Sequence, residues 1–198
     1  MKRILTAALV AALALALAAC TGPSDDLAAD YQAGGSESFR SGDGRVVQIP
    51  AAERGESIRF TGSAVDGSTV SDTDYAGDVL VLNFWYAGCG PCRIEAPLLE
   101  EAYGQVAPDG AHFLGVNIYD GPEQATSFEE NYGITYPSLL ASGDVDLKLA
   151  FASYVPLQAV PITLVLDREQ RVAARIVGAV ESSSILKSLV RDAMAEEW

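Results

Sequence analysis

Cys89 and Cys92, separated by Gly90 and Pro91, are the residues of this chain best suited to chemistry. Two thiols at this spacing can interconvert between a dithiol and a disulfide. Attack on another disulfide requires a thiolate, not a thiol, so at least one of them must be held as an anion near neutral pH. The flanking residues indicate how. An apolar, β-type run occupies residues 78–86, and a helical stretch opens at Arg93-Ile94-Glu95-Ala96. Cys89 therefore falls where a strand ends and a helix begins. There the unpaired N–H groups and the positive end of the helix dipole favour an anion, so its pKa is expected to lie well below that of a free thiol. Cys92, about one turn further in, is expected to be more buried and to resolve the mixed disulfide that Cys89 forms. Pro91 suits the first helical turn, where its missing N–H costs nothing, and Gly90 leaves space above Cys89 for a partner chain.

The elements that must position this pair can be read from periodicity and turn residues. Residues 58–64 and a short segment near Thr69-Val70 are expected to form strands around an Asp66-Gly67 turn. Residues 78–86 and 112–119 read as buried strands, and residues 91–105 as a helix that Pro97 is expected to kink. Helices are expected over 122–132, with Pro122 at the start, and over 144–154. Residues 162–167 and 172–177 read as strands, and residues 181–196 as an amphipathic helix with Ile185, Leu186, Leu189, Val190 and Ala193 on its apolar stripe. Strands alternating with helices, closed by a hairpin and a helix, give an α/β fold with a mixed sheet covered by helices.

The N-terminus carries a different message. Lys2 and Arg3 precede an uncharged, Ala- and Leu-rich run, residues 4–19. That is the pattern of a secretory signal, and it is shorter than the roughly 20 residues of a spanning helix. The run ends Leu17-Ala18-Ala19-Cys20, which resembles a bacterial lipobox, with cleavage before Cys20 and lipid attachment to it. An ordinary signal peptide with an incidental cysteine is the alternative. Residues 20–57 are rich in Gly, Ser, Asp and Ala and read as a flexible tether, although Val46-Val47-Gln48-Ile49-Pro50 offers a segment able to dock. The compact domain is expected over 58–198. The net charge of −14, more negative still once Lys2 and Arg3 are removed, argues against nucleic acid as a partner. Membrane attachment would have to come from the lipid.

Other chemistries fit less well. A structural zinc site needs four ligands, and only His112 remains beside the pair once Cys20 is assigned to the signal. No metal and no cofactor is expected. A peroxiredoxin would carry Pro at the position of Leu82 and Thr or Ser at that of Tyr86. His112 reads as a surface or edge residue, and Glu129-Glu130 as a solvated helix face. Trp85 or Tyr86 could form a substrate platform, since adjacent strand residues face opposite sides.

Three segments together resemble the TlpA/ResA-like branch of the thioredoxin superfamily. They are residues 83–97 (Asn-Phe-Trp-Tyr-Ala-Gly-Cys-Gly-Pro-Cys-Arg-Ile-Glu-Ala-Pro), 113–117 (Phe-Leu-Gly-Val-Asn) and 160–163 (Val-Pro-Ile-Thr). The likeness extends over nearly all of 58–198. It implies a thioredoxin fold with an N-terminal β-hairpin extension and a thiol–disulfide oxidoreductase activity. It matches Cys89 to the family's nucleophile, Cys92 to its resolving cysteine and Pro161 to the cis-proline that faces the dithiol. Val160 and Pro161 would then contact an extended substrate. Asn83 stands where thioredoxin has a buried aspartate. Glu95 matches an acidic residue of this branch that could exchange a proton with Cys92; a half-buried Glu paired with Arg93 is the alternative. The resemblance breaks at Gly88, where many relatives have Trp beside the nucleophile, and at Gly90-Pro91, where many have Glu-Pro or Pro-Pro.

The resulting expectation is an extracytoplasmic, lipid-anchored monomer that exchanges disulfides with protein cysteines, including those of apocytochrome c, and takes electrons from a membrane thiol–disulfide donor. The likeness first implies a reductant, as in cytochrome c maturation. The alternatives are an oxidant of exported proteins and a non-enzymatic copper- or substrate-binding lipoprotein.

Overall fold

The structure is a computed structural model that describes residues 45–196. The signal segment, Cys20 and most of the expected tether lie outside the described residues. Among the described residues, no helix is long and apolar enough to cross a membrane.

Among the described residues, eight strands and four α-helices follow one another. β1 (Val46–Gln48), β2 (Thr61–Ser63), β3 (Thr69–Ser71) and β4 (Leu80–Trp85) lead into α1 (Gly90–Val106). β5 (His112–Asn117), α2 (Pro122–Tyr132), β6 (Ser138–Leu140) and α3 (Val145–Ala152) come next. β7 (Ile162–Leu166), β8 (Val172–Val177) and α4 (Ser183–Ala195) complete the domain. The main sheet runs β1-β8-β7-β4-β5-β6, and β2 and β3 form a separate hairpin. β4, β5 and β6 are parallel neighbours, while β7 pairs antiparallel with β4. This is a mixed sheet flanked by helices with an N-terminal hairpin, the fold class that the sequence implies.

β4 lies between β5 and β7, and every one of its six residues is buried. Alternation along it sends Leu80, Leu82 and Phe84 into one core, with Leu147 and Phe151 of α3. It sends Val81 to the opposite core, with Leu99 and Ala102 of α1 and Leu186 and Val190 of α4. Asn83 and Trp85 share the parity of Val81, so they approach α1 and the cysteines.

The segment able to dock does so: Val46–Gln48 pairs antiparallel with β8, so ordered structure begins ahead of residue 58. The Arg54 guanidinium holds this segment in place. Its side chain is 3% exposed and contacts Asp167 at 2.9 Å and Glu196 at 2.5 Å. Other elements depart from expectation. β2 is shorter than 58–64. Ile58 and Phe60 are buried in the core, but the ladder with β3 covers only Thr61–Ser63, and Ala64 makes a single bridge to Leu139. β6 was not foreseen at all. Ile185 is 43% exposed and falls off the buried stripe of α4, to which Ser183 belongs instead.

Candidate active site

β4 delivers the chain to the site, and two polar residues, one at the end of β5 and one just beyond it, fix the turn that follows. The Asp120 carboxylate accepts from the Ala87 amide at 2.5 Å and from the Asn117 side-chain amide at 2.8 Å. Asn117 Oδ1 in turn accepts from the Asp120 amide at 2.8 Å. The turn ends at Cys89, which caps α1. Its Sγ accepts from the Cys92 amide at 3.1 Å, one of the donors that the first turn of a helix leaves unpaired. The same N–H, with the helix dipole behind it, suits a Cys89 thiolate.

Cys89 and Cys92 are joined by a disulfide, with Cα atoms 5.3 Å apart. Both are buried, at 3% and 1% exposure, while Gly88, Gly90 and Pro91 around them are exposed. The glycines and the proline thus leave the disulfide at the floor of an open surface. A Cβ at Gly88 would stand 3.0 Å from the Tyr86 ring, so a side chain there would displace Tyr86.

The Val160–Pro161 bond is cis, as the resemblance implied. Val160 packs against the cluster that contains Trp85, Cys89, Cys92 and Ala96. Among the described residues, no group of three or more His, Cys, Asp or Glu is arranged to hold a metal.

Glu95 is wholly buried. Its Oε1 accepts from the Asn83 amide at 2.8 Å, and its Oε2 from the Val180 backbone N–H at 2.8 Å. Asn83 also donates to Thr163 Oγ1 at 3.1 Å. Burial pushes the Glu95 carboxyl up to about 7, against the opposing pull of its two hydrogen bonds from Val180 and Asn83. Arg93 is not its partner: that side chain is exposed and donates to the Ala87 carbonyl at 2.9 Å. Glu95 lies one turn after Cys92 on α1, so a group able to take or release a proton near neutral pH follows the inner cysteine.

Trp85 is not a surface platform. It is 4% exposed, because strand parity turns it inward. Its ring lies 4.3 Å from that of Phe128 and lines a small cavity of about 10 Å³ together with Cys92. Tyr86, with the opposite parity, is half-buried and meets Tyr119 edge-on at 5.2 Å. Glu129 is likewise not on a solvated face: it is half-buried, and burial raises its pKa. His112 sits at the start of β5 with its side chain partly exposed and pairs with Asp78 at 3.2 Å, a surface position as expected. The residues that sequence reasoning missed are Asn117, Asp120, Thr163 and the Val180 amide. The Asn-x-x-Asp spacing at the end of β5 was the one signal available for the first two.

Comparison with known proteins agrees with this geometry. The AhpC/TSA family matches residues 55–175. The thiol–disulfide oxidoreductase ResA of Geobacillus thermodenitrificans is 30% identical over 130 residues, which are 66% of this chain and 72% of that protein. The thiol:disulfide interchange protein HelX of Rhodobacter capsulatus is 33% identical over 113 residues, 57% of this chain and 60% of its own length. Among solved structures, a secreted thiol-disulfide isomerase from Corynebacterium glutamicum superposes with a TM-score of 0.71. It is 27% identical, covering 82% of this chain and all of that one. A DsbF homologue from Corynebacterium diphtheriae, at 30% identity and a TM-score of 0.67, covers 80% and 99%. With its Cys89–Cys92 disulfide at the strand-to-helix junction, this chain belongs to the AhpC/TSA family of the thioredoxin superfamily, as a TlpA/ResA-like thiol–disulfide oxidoreductase.

Proposed function

We propose that this oxidoreductase is a reductant of protein disulfides, tethered outside the cytoplasm by a lipid on Cys20, and that it serves cytochrome c maturation by keeping apocytochrome thiols reduced. The observation that carries the direction of electron flow is the buried Glu95. A carboxylate enclosed near the dithiol disfavours a thiolate on Cys92. A dithiol whose reduced form is less stabilised is the stronger reductant, the inverse of the situation in strong oxidants.

In the dithiol form, the Cys89 thiolate attacks a sulfur of the substrate disulfide, held beside Val160 and Pro161 over Gly88. The Cys92 amide stabilises the Cys89 thiolate beforehand. One S–S bond breaks and a mixed disulfide forms, and the departing substrate sulfur takes up a proton. Cys92 then passes its proton to the Glu95 carboxylate and attacks Cys89 Sγ. The second substrate sulfur leaves and takes the proton held by Glu95, and Cys89–Cys92 is left oxidised. A membrane thiol–disulfide donor returns two electrons and one proton, which restores the Cys89 thiolate and the Cys92 thiol.

Trapping in the native cell tests this reading. Cys92→Ala should accumulate mixed disulfides with exported proteins bearing paired cysteines, apocytochromes among them, and Cys89→Ser should accumulate none. The wild-type pair should be found mostly as the dithiol. A steady-state disulfide would favour the oxidant reading. In the same cells, Cys20→Ser should leave the membrane fraction; persistence there would refute the anchor.

A further inference from the structure

We propose that a groove between the first turns of α1 and the outer face of α2 is a polypeptide subsite, which holds the stretch of substrate flanking the target cysteine. The inference rests on the reading of this chain as an oxidoreductase of protein cysteines, and it places part of that substrate on the side of the disulfide formed by α2.

The groove has a volume of about 480 Å³. That lies within the range of about 300–1,000 Å³ typical of small-ligand sites, so it suits a few residues of chain and not a folded surface. It begins at Ala87 and Arg93, which bracket the disulfide in sequence. Its outer wall is one face of α2, on which Gln124, Ser127 and Asn131 recur at helical spacing and are exposed. Its floor is aromatic: Phe128 and Tyr132 stack with ring centroids 4.6 Å apart. Phe128 continues inward to Trp85, within the cluster that holds Cys89 and Cys92. The groove and the disulfide therefore share one aromatic underlay.

The chemistry of the walls selects the occupant. A carboxamide offers both a donor and an acceptor, which is what a peptide group requires of a partner, so Gln124 and Asn131 can pair with backbone of any sequence. The aromatic floor accepts an apolar side chain. The charged groups at the groove are one cation, Arg93, and one anion, Glu123. Without a net charge the site has no preference for a phosphate or other anion. Arg93 is already bound to the Ala87 carbonyl, which orients it along the rim.

The test uses the full chain in its dithiol form and two disulfide substrates. One is hydroxyethyl disulfide. The other is a synthetic peptide with a single cysteine between tyrosines, as its mixed disulfide with glutathione. Ser127→Trp fills the groove from an exposed position. It should lower the rate with the peptide, relative to that with hydroxyethyl disulfide, by about tenfold, chiefly through KM. Glu130→Trp, exposed on α2 and outside the groove, should leave the ratio at its wild-type value. An unchanged ratio in Ser127→Trp overturns the subsite. Binding is read separately with the same peptide carrying serine in place of cysteine, which cannot exchange. It should shift the amide resonances of 123–132 in the wild type and not in Ser127→Trp; no shift in the wild type also overturns it. If the wild type reacts with neither disulfide, the oxidoreductase reading fails instead, and the resonance shifts alone decide the groove.

Discussion

Burial governs the behaviour of Glu95 more than any neighbouring charge does. Its carboxyl, ordinarily near 4.5, rises to about 7 because the charged form is poorly solvated inside the protein. Between these values the native state keeps a proton that the unfolded chain has lost. Stability is therefore full below about pH 4.5, falls as pH rises towards 7, and levels off above it. The loss is on the order of 3 kcal/mol. Glu95→Gln should remove this slope, as read from urea unfolding across pH 4.5–8. Its amide NH2 would face one of the two N–H donors, so a roughly constant cost of 1–3 kcal/mol should appear at every pH. The same variant should lose the inflection near pH 7 in the rate at which Cys92 releases a trapped partner. A wild-type pH profile in both measurements would show that Glu95 neither titrates in this range nor serves the inner cysteine.

Among the elements, β4 and the start of α1 do most to make the site, and both were legible in the sequence. Continuous burial marks β4 as a central strand, and Cys89 occupies the junction that the run of apolar residues forecasts. α2 coincides with the helix expected from Pro122 to Tyr132. β6 was hidden because it has only three residues and follows Pro137; it is a strand only because Gly115 of β5 lies opposite Ser138. Asp120, Thr163 and the Val180 amide were hidden for the same reason. Each acts on a residue at least 33 positions away in the chain, a distance over which local pattern is silent. Strand parity shows that Trp85 and Tyr86 face opposite sides, but which of them turns inward is set only when α1 and α2 pack on that side of the sheet. Glu129 was misplaced because a solvated face was judged from residue type, and the packing of α2 decides it. The close pairing of β5 with β6 gives its own test. A Cβ at Gly115 would stand 2.2 Å from Ser138 Oγ and 2.7 Å from Trp85 Nε1. Gly115→Ala should therefore cost about 1–3 kcal/mol and lower the midpoint of thermal unfolding, with an unchanged midpoint refuting the tight fit.

For the whole molecule, the clamp around Arg54 joins segments far apart in sequence. The guanidinium meets Asp167 in the turn after β7 and both carboxylate oxygens of Glu196 after α4, and its Nε donates to the Ile49 carbonyl at 2.9 Å. Asp167 also holds Arg171 at 2.9 Å, so it is not stranded when Arg54 is lost. Arg54→Met should accordingly cost roughly 2–3 kcal/mol in chemical unfolding. Protection of the Val46–Gln48 amides from hydrogen exchange should fall by more than that of β4. Equal loss in both strands would mean that β1 and the centre of the sheet open as one unit.

This clamp also limits what can be attached to the protein without disturbing it. Glu196 directly follows α4, so a truncation before it, or a label coupled to its side chain, withdraws the carboxylate that grips Arg54. The edge strand β1 would loosen while the redox pair stayed intact, so activity alone would not reveal the damage. Ser188, exposed on α4, offers a point of attachment that leaves the grip in place.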